Sequence, residues 1–236
     1  MRMQQNDHSL TAFVPGNHLI LGAAGSGKTR MIWTLLQSPE FCQPDTVNIV
    51  LTDSEKRIWL NPSDNPIIVV NPYAPDISWA TEPTTPGIYY AACEYLPRIT
   101  TFLECLANFA RYVEHDIKHP LRVFIDFPKK YWRDFNFFDQ INRLIFISES
   151  LAEDGQYPLE IWSVLTTPKD LNPKQYVAFK NSHLILMPPI TDALVADVKE
   201  ALGVELSLEN SREMSDGSFC YFSQNADQAV MINACK

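Results

Sequence analysis

The chain has 236 residues, a hydrophobic fraction of 46% and a formal charge of −9, with a pI near 5.0. It is long enough for one sizeable core, and the acidic balance excludes a protein that coats nucleic acid with a general basic surface. No run of about 18 apolar residues occurs, so no membrane-spanning helix is predicted.

Residues 1–16, "MRMQQNDHSLTAFVPG", are polar and lack the apolar stretch of a secretory leader, which points to the cytoplasm. Residues 1–13 are predicted to form a flexible arm. A Pro15-Gly16 turn then leads into "HLILG" at 18–22, a predicted buried strand. "KTRMIWTLLQS" follows, with Met31, Ile32, Leu35 and Leu36 at helical spacing. "VNIVLTD" at 47–53 reads as a second strand. The prolines, 17 in all, cluster between 61 and 87. Proline fixes φ and removes a donor, so this stretch is predicted to be extended and loop-rich, with only "IIVV" at 67–70 as a strand. "YLPRITTFLECLANFARYVEHDI" places Leu103, Leu106, Phe109, Ala110 and Val113 on one side of a long helix.

"LRVFIDF" at 121–127 is the next strand, and "FFDQINRLIFISESLAE" the next helix. "LEIWSVLTT" at 159–167 and "SHLILMP" at 182–188 are further strands. The helix "TDALVADVKEALG" separates the latter from a closing hairpin, "GSFCYFSQNADQAVMIN". Strands alternating with helices imply βαβ units, a mainly parallel sheet and the α/β class. Near-continuous apolar strands fit a sheet covered by helices on both faces. No composition break marks a second domain, so one domain over 1–236 is predicted. The five cysteines have no C-x-x-C spacing and an odd count, which argues against a disulfide framework or a zinc site.

Residues 22–29 read G-A-A-G-S-G-K-T and fit G-x-x-x-x-G-K-[ST] at every specified position. Gly22, Gly25 and Gly27 let the loop curl so that the N–H groups of Ala23, Ala24, Ser26, Lys28, Thr29 and Arg30 can face phosphate oxygens. The helix that starts there adds its positive dipole end. Lys28 would place its ammonium on the β- and γ-phosphates, and the Thr29 hydroxyl would ligate Mg²⁺. The implied ligands are ATP and Mg²⁺. Such a site needs a carboxylate at the end of another buried strand. "RVFID" supplies Asp126, which would hold Mg²⁺ through a water. The residue after it is Phe127, where ATPases that activate water commonly carry glutamate. Either another carboxylate serves, with Asp53 and Glu55 as candidates, or hydrolysis is weak. At the end of the 159–167 strand, Thr166 or Thr167 could sense the γ-phosphate, and Thr167 is taken as the catalytic candidate.

A guanine-reading N-K-x-D is absent, since "TPKD" has lysine and aspartate adjacent. The arginines are scattered rather than clustered as in nucleoside-kinase lids. The order of parts resembles the FtsK–HerA superfamily of DNA-pumping ATPases. The likeness runs from "NHLILGAAGSGKTRMIWTLLQ" through "VNIVLTD" and "RVFIDF". It continues in "QINRLIFISESLAEDGQYPLEIWSVLTTP" and ends in "FKNSHLILMPPITDALVADVKEALG" with the hairpin. The resemblance implies a RecA-like P-loop NTPase fold and a homo-oligomeric, often hexameric, ring acting on double-stranded DNA. By position, Lys28 and Thr29 match the family's nucleotide loop and Asp126 its Mg²⁺ residue. Its glutamate falls on Phe127 and its sensor glutamine on Thr167 or Pro168. The trans-acting arginine would be Arg143, the only arginine in "INRLIFISES".

"PKKYWRDFNFF" at 128–138 interleaves Lys129, Lys130 and Arg133 with five aromatics. The cations could track a phosphate backbone while the aromatics stack on bases, pack into the core or meet a neighbouring subunit. His115 and His119 stand four apart, but no third ligand is evident. Two functions fit: an oligomeric ATP-driven DNA motor, or a weakly hydrolysing ATP-binding module that recruits a protein partner.

Overall fold

The short apolar runs form strands and the stretches of helical spacing form helices. The structure, a computed structural model, describes residues 13–39, 41–53, 67–70, 86–112, 119–152, 158–206, 218–223 and 230–233. The first half contains β1 (His18–Leu21), α1 (Lys28–Gln37), β2 (Val47–Thr52), β3 (Ile67–Val70), β4 (Gly87–Ala92) and α2 (Leu96–Tyr112). Next come β5 (Leu121–Asp126), α3 (Lys129–Trp132), α4 (Phe135–Ser150) and β6 (Leu159–Leu165). Two 3-10 turns, Pro168–Asp170 and Pro173–Phe179, precede β7 (His183–Leu186), α5 (Asp192–Leu202), β8 (Ser218–Phe222) and β9 (Val230–Asn233).

The described strands make one 9-stranded sheet in the order β3-β4-β2-β5-β6-β1-β7-β8-β9. Every pairing from β3 to β7 is parallel, and only β8 and β9 run antiparallel, as the closing hairpin. This is the RecA-like α/β arrangement expected from the sequence, and the parallel order puts the C-terminal ends of β1, β5 and β6 side by side. Strand alternation feeds two cores. Ile20, Val50, Phe124, Val164 and Ile185 pack with Met31, Ile32, Leu35 and Leu36 of α1. Leu19, Leu21, Ile49, Val123 and Ile125 pack with Phe102 and Leu106 of α2, Ile141 and Leu144 of α4 and Val198 of α5. Apolar burial on both faces explains why the strands read as unbroken apolar runs. Each fully buried side chain of this size contributes roughly 1.5–3 kcal/mol.

The structure corrects the sequence reading in several places. Strand β4, "GIYYAA", was missed because it follows directly on the proline-rich stretch; it pairs with both β2 and β3. Residues 129–132, to which no element is assigned above, are helical, and α4 begins at Phe135. β6 ends at Leu165, so Thr166 and Thr167 lie beyond the strand. Residues 1–12 of the expected arm lie outside the described residues. Phe13, its last residue, is not loose: it packs edge-on against Trp162 at 5.4 Å and Tyr221 at 5.1 Å. Among the described residues no helix is long and apolar enough to cross a membrane.

Candidate nucleotide-binding site

β1 delivers the chain to the loop at 22–27, and α1 starts immediately after it, at Lys28. Gly22 is required by volume. A Cβ there would lie 2.7 Å from Ser26 Oγ and 2.8 Å from Met187 Cβ. Gly27 is required by torsion: it caps α1 with φ 88°, in the left-handed region. Met31 N–H donates to the Gly27 carbonyl at 2.8 Å, so Lys28, Thr29 and Arg30 make up the first turn of the helix, where N–H groups can face an anion. α1 has no side-chain cap and no acidic residue in its first turn. The buried Ser26 hydroxyl has no hydrogen-bond partner. Ala23, Ala24 and Gly25 are exposed. Together these groups form a cradle of donors open to an anion.

Two side chains complete it. Lys28 Nζ donates to the loop's own carbonyls, Gly22 O at 2.6 Å and Ala23 O at 2.8 Å. Thr29 Oγ1 donates to Asp126 Oδ2 at 2.5 Å, across 97 residues of sequence. Asp126 is the last residue of β5 and is only 5% exposed. A hydroxyl and a buried carboxylate in direct contact beside the phosphate cradle are the donor set a divalent ion on a phosphate requires. The predicted Lys28, Thr29 and Asp126 are thus brought together.

Other predicted residues fare differently. Thr167, the expected γ-phosphate sensor, is engaged away from the loop. Its hydroxyl donates to Asp197 Oδ2 at 2.7 Å and caps the first 3-10 turn. Thr166 is exposed, and its carbonyl accepts the Gly22 N–H at 3.2 Å, so it is the residue of the pair that meets the loop. Asp197 itself is held below the ordinary carboxylate range: partial burial pushes it up, but hydrogen bonds from Lys169 and Thr167 outweigh that. Arg143 bonds Gln140 at 3.0 Å and Asn108 of α2 at 3.3 Å, and lines a groove with Asn142, Phe146, Lys174 and Val177 rather than joining Lys28 and Asp126.

Phe127 is 4% exposed and packs on Tyr131 at 5.0 Å and Phe137 at 5.2 Å. Asp53 follows Thr52, the register partner of Asp126, so it ends the strand next to β5. Glu55 and His115 lie outside the described residues.

The 128–138 segment divides by chemistry. Tyr131, Trp132, Phe137 and Phe138 are buried, so they are core residues and offer no face to bases; Phe135 is 77% exposed. The cations face outward. Lys129 pairs with Asp170 at 3.0 Å, Lys130 lies 4.9 Å over the Tyr131 ring, and Arg133 is exposed. Asp170 escaped the sequence reading. The signal was present as T-x-x-D with proline at the first helical position, a capping box around Thr167.

No known family model matches the chain, and no curated protein matches it. Solved structures do. The genome packaging NTPase B204 of Sulfolobus turreted icosahedral virus 2, in complex with ATP-gammaS, superposes with a TM-score of 0.62 at 11% identity, over 93% of this chain and 98% of B204. B204 of Sulfolobus turreted icosahedral virus, a DNA-packaging ATPase, gives 0.61 at 14% identity, over 95% and 100%. The chain has the fold of FtsK–HerA-type ATPases. The conjugation coupling protein TcpA of pCW3 matches with a TM-score of 0.51 at 11% identity, over 92% of this chain and 60% of TcpA. The chain spans 24% of the matched chain of the Thermomonospora curvata secretion ATPase EccC, with a TM-score of 0.57 at 11% identity.

Proposed function

We propose that this chain is an ATP-binding P-loop ATPase of the FtsK–HerA type, working in the cytoplasm as a homo-oligomeric, ring-forming motor that moves or packages double-stranded DNA. The observation that carries the reading is the Thr29–Asp126 contact at the mouth of the phosphate cradle. It joins two remote motifs in a way that suits a nucleotide site. The fold-level likeness to DNA-packaging and DNA-coupling ATPases supports the choice of motor.

In this reading the N–H groups of the loop and of the first turn of α1 bind the phosphates. Lys28 leaves the Gly22 and Ala23 carbonyls for the β- and γ-oxygens. Thr29 and Asp126 hold Mg²⁺, which supplies positive charge to the phosphates. Asp53, just past the end of β2 next to β5, and Glu55 would be the candidates to orient water. Arg143 would act across a subunit boundary, and Lys129, Lys130 and Arg133 would meet the DNA backbone.

A second reading has its own observation. Phe127 fills the position of the usual glutamate with a core ring, while Phe135, Phe146 and Val177 are 77%, 69% and 66% exposed. A weakly hydrolysing module that recruits a protein partner fits both facts. ATP hydrolysis measured with and without double-stranded DNA separates the two. The motor reading expects turnover that rises with DNA and falls on dilution to monomer. Turnover near background with and without DNA, despite ATP binding, selects the module.

A further inference from the structure

One buried carboxylate links three parts of the nucleotide site. Asp170 is 2% exposed and sits in the 3-10 turn just after β6. Its Oδ2 accepts the Thr166 N–H at 2.9 Å and the Thr167 N–H at 3.2 Å. Its Oδ1 meets Lys129 Nζ at 3.0 Å. The Thr166 peptide held in this way presents its carbonyl to Gly22 N–H, the first donor of the phosphate loop. Lys129 opens α3, three residues past Asp126. The tip of β6 is therefore fixed by Asp170 on one side and fixes the loop on the other. Gly22 lies so close to Ser26 and Met187 that no side chain would fit there.

We propose that Asp170 is a positioning residue of the nucleotide site: it holds the Thr166 peptide against Gly22 and ties it to Lys129, so that loop geometry and the Lys129–Asp170 ion pair are coupled. The inference rests on the reading of the loop as an ATP site. Asp170 acts through Thr166, and none of its bonds described above goes to the loop itself. A buried carboxylate that accepts two backbone N–H bonds and pairs with a lysine is held in one geometry, because a lost partner leaves part of its charge uncompensated. A loop held in its binding shape before the ligand arrives binds more tightly than one ordered by the ligand. Through the same chain of contacts, breaking the ion pair at Lys129 is expected to weaken nucleotide binding as well. Lys129 belongs to the proposed DNA-facing cluster as well, and the same link joins that surface to the nucleotide.

Equilibrium affinity for ATP–Mg²⁺ tests this, measured by titration calorimetry well below the melting temperature of each variant. Asp170→Ala is expected to weaken binding about tenfold or more, the scale of a lost hydrogen bond to a charged group. Asp170→Asn keeps an oxygen for the two N–H groups and loses the charge and the acceptor that face Lys129, so about a threefold loss is expected. Lys129→Met should match it, since it breaks the same ion pair from the other side. A merely structural role would lower the melting temperature without this ordering of affinities. Folded Asp170→Ala with wild-type affinity overturns the inference. If Asp170→Ala does not fold, wild-type affinity in both Asp170→Asn and Lys129→Met overturns it instead. Wild type that binds no ATP, or Lys28→Ala that binds as well as wild type, removes the ATP-site reading and this inference with it.

Discussion

At the scale of single residues, the site is a set of donors awaiting an acceptor. Lys28 illustrates this: its ammonium turns back onto two loop carbonyls, 2.6 and 2.8 Å away. A phosphate would replace those neutral acceptors with a charged one, which makes a stronger bond. Binding then stabilises the fold by mass action, by roughly 2.7 kcal/mol at a hundredfold excess of ligand over Kd. Wild type should therefore melt several degrees higher with ATP–Mg²⁺, and Lys28→Ala should lose most of that shift. Equal shifts in the two proteins would remove Lys28 from the site. The contrast between Thr166 and Thr167 belongs here too. Both end the same strand in the sequence, and only the hydrogen bond to Asp197 reveals that the second is spent as a cap.

At the scale of elements, what could be read in advance depended on whether the signal was local. β1, α1, β2 and β5 announce themselves through apolar runs and the glycine loop. Strand β4 does not, because six residues after a proline cluster carry too little pattern; its identity comes from pairing with β2 and β3. The "PKKYWRDFNFF" stretch shows the converse. Its composition leaves base stacking, core packing and a subunit contact open for the aromatics, and Tyr131, Trp132 and Phe137 belong to the inner face of α3 and α4. Helix α4 is started by Asp134, whose side chain accepts the Phe137 N–H at 2.9 Å and so turns Phe137 inward. The cations and the exposed Phe135 are what this segment leaves for the proposed DNA contact. Replacing Lys129, Lys130 and Arg133 together by alanine should lower the slope of log affinity against log salt by up to about 3, at about 0.9 per phosphate. A salt series on duplex DNA with ATP–Mg²⁺ present measures it, and an unchanged slope would exclude this surface.

At the scale of the whole molecule, the sheet has a chemical end and a structural end. The loop, Asp126 and Thr166 gather where β1, β5 and β6 finish. Where β1, β6 and β7 begin, His18 stacks on Trp162 with ring centroids 3.7 Å apart and lies 5.1 Å from His183. Burial first, and then the neighbouring His183, hold the His18 imidazole well below its ordinary range. Burial lowers His183 as well. An unfolded histidine titrates near 6.5. Below that pH the unfolded chain takes up protons that the folded chain refuses, so this contribution to stability is full above about pH 6.5 and is lost as the pH falls. Each proton refused costs up to about 1.4 kcal/mol per pH unit. His18→Phe, which keeps a ring on Trp162, should flatten the fall in melting temperature between neutral and mildly acidic buffer. An equally steep fall in the variant would place the acid sensitivity elsewhere.

The two ends of the phosphate loop are constrained in different currencies, and this sets what mutation can do to each. Gly27 stands in a left-handed torsion, with its nearest crowding atom, Met187 Cε, 4.0 Å from where a Cβ would sit. Asparagine or aspartate, which visit that region at modest cost, should be accepted there more readily than valine or isoleucine. Gly22 has no such list of substitutes, because a Cβ would overlap Ser26 and the Met187 side chain whatever its torsion. Random mutagenesis selected for ATP binding should therefore return a graded spectrum at position 27 and a single letter at position 22.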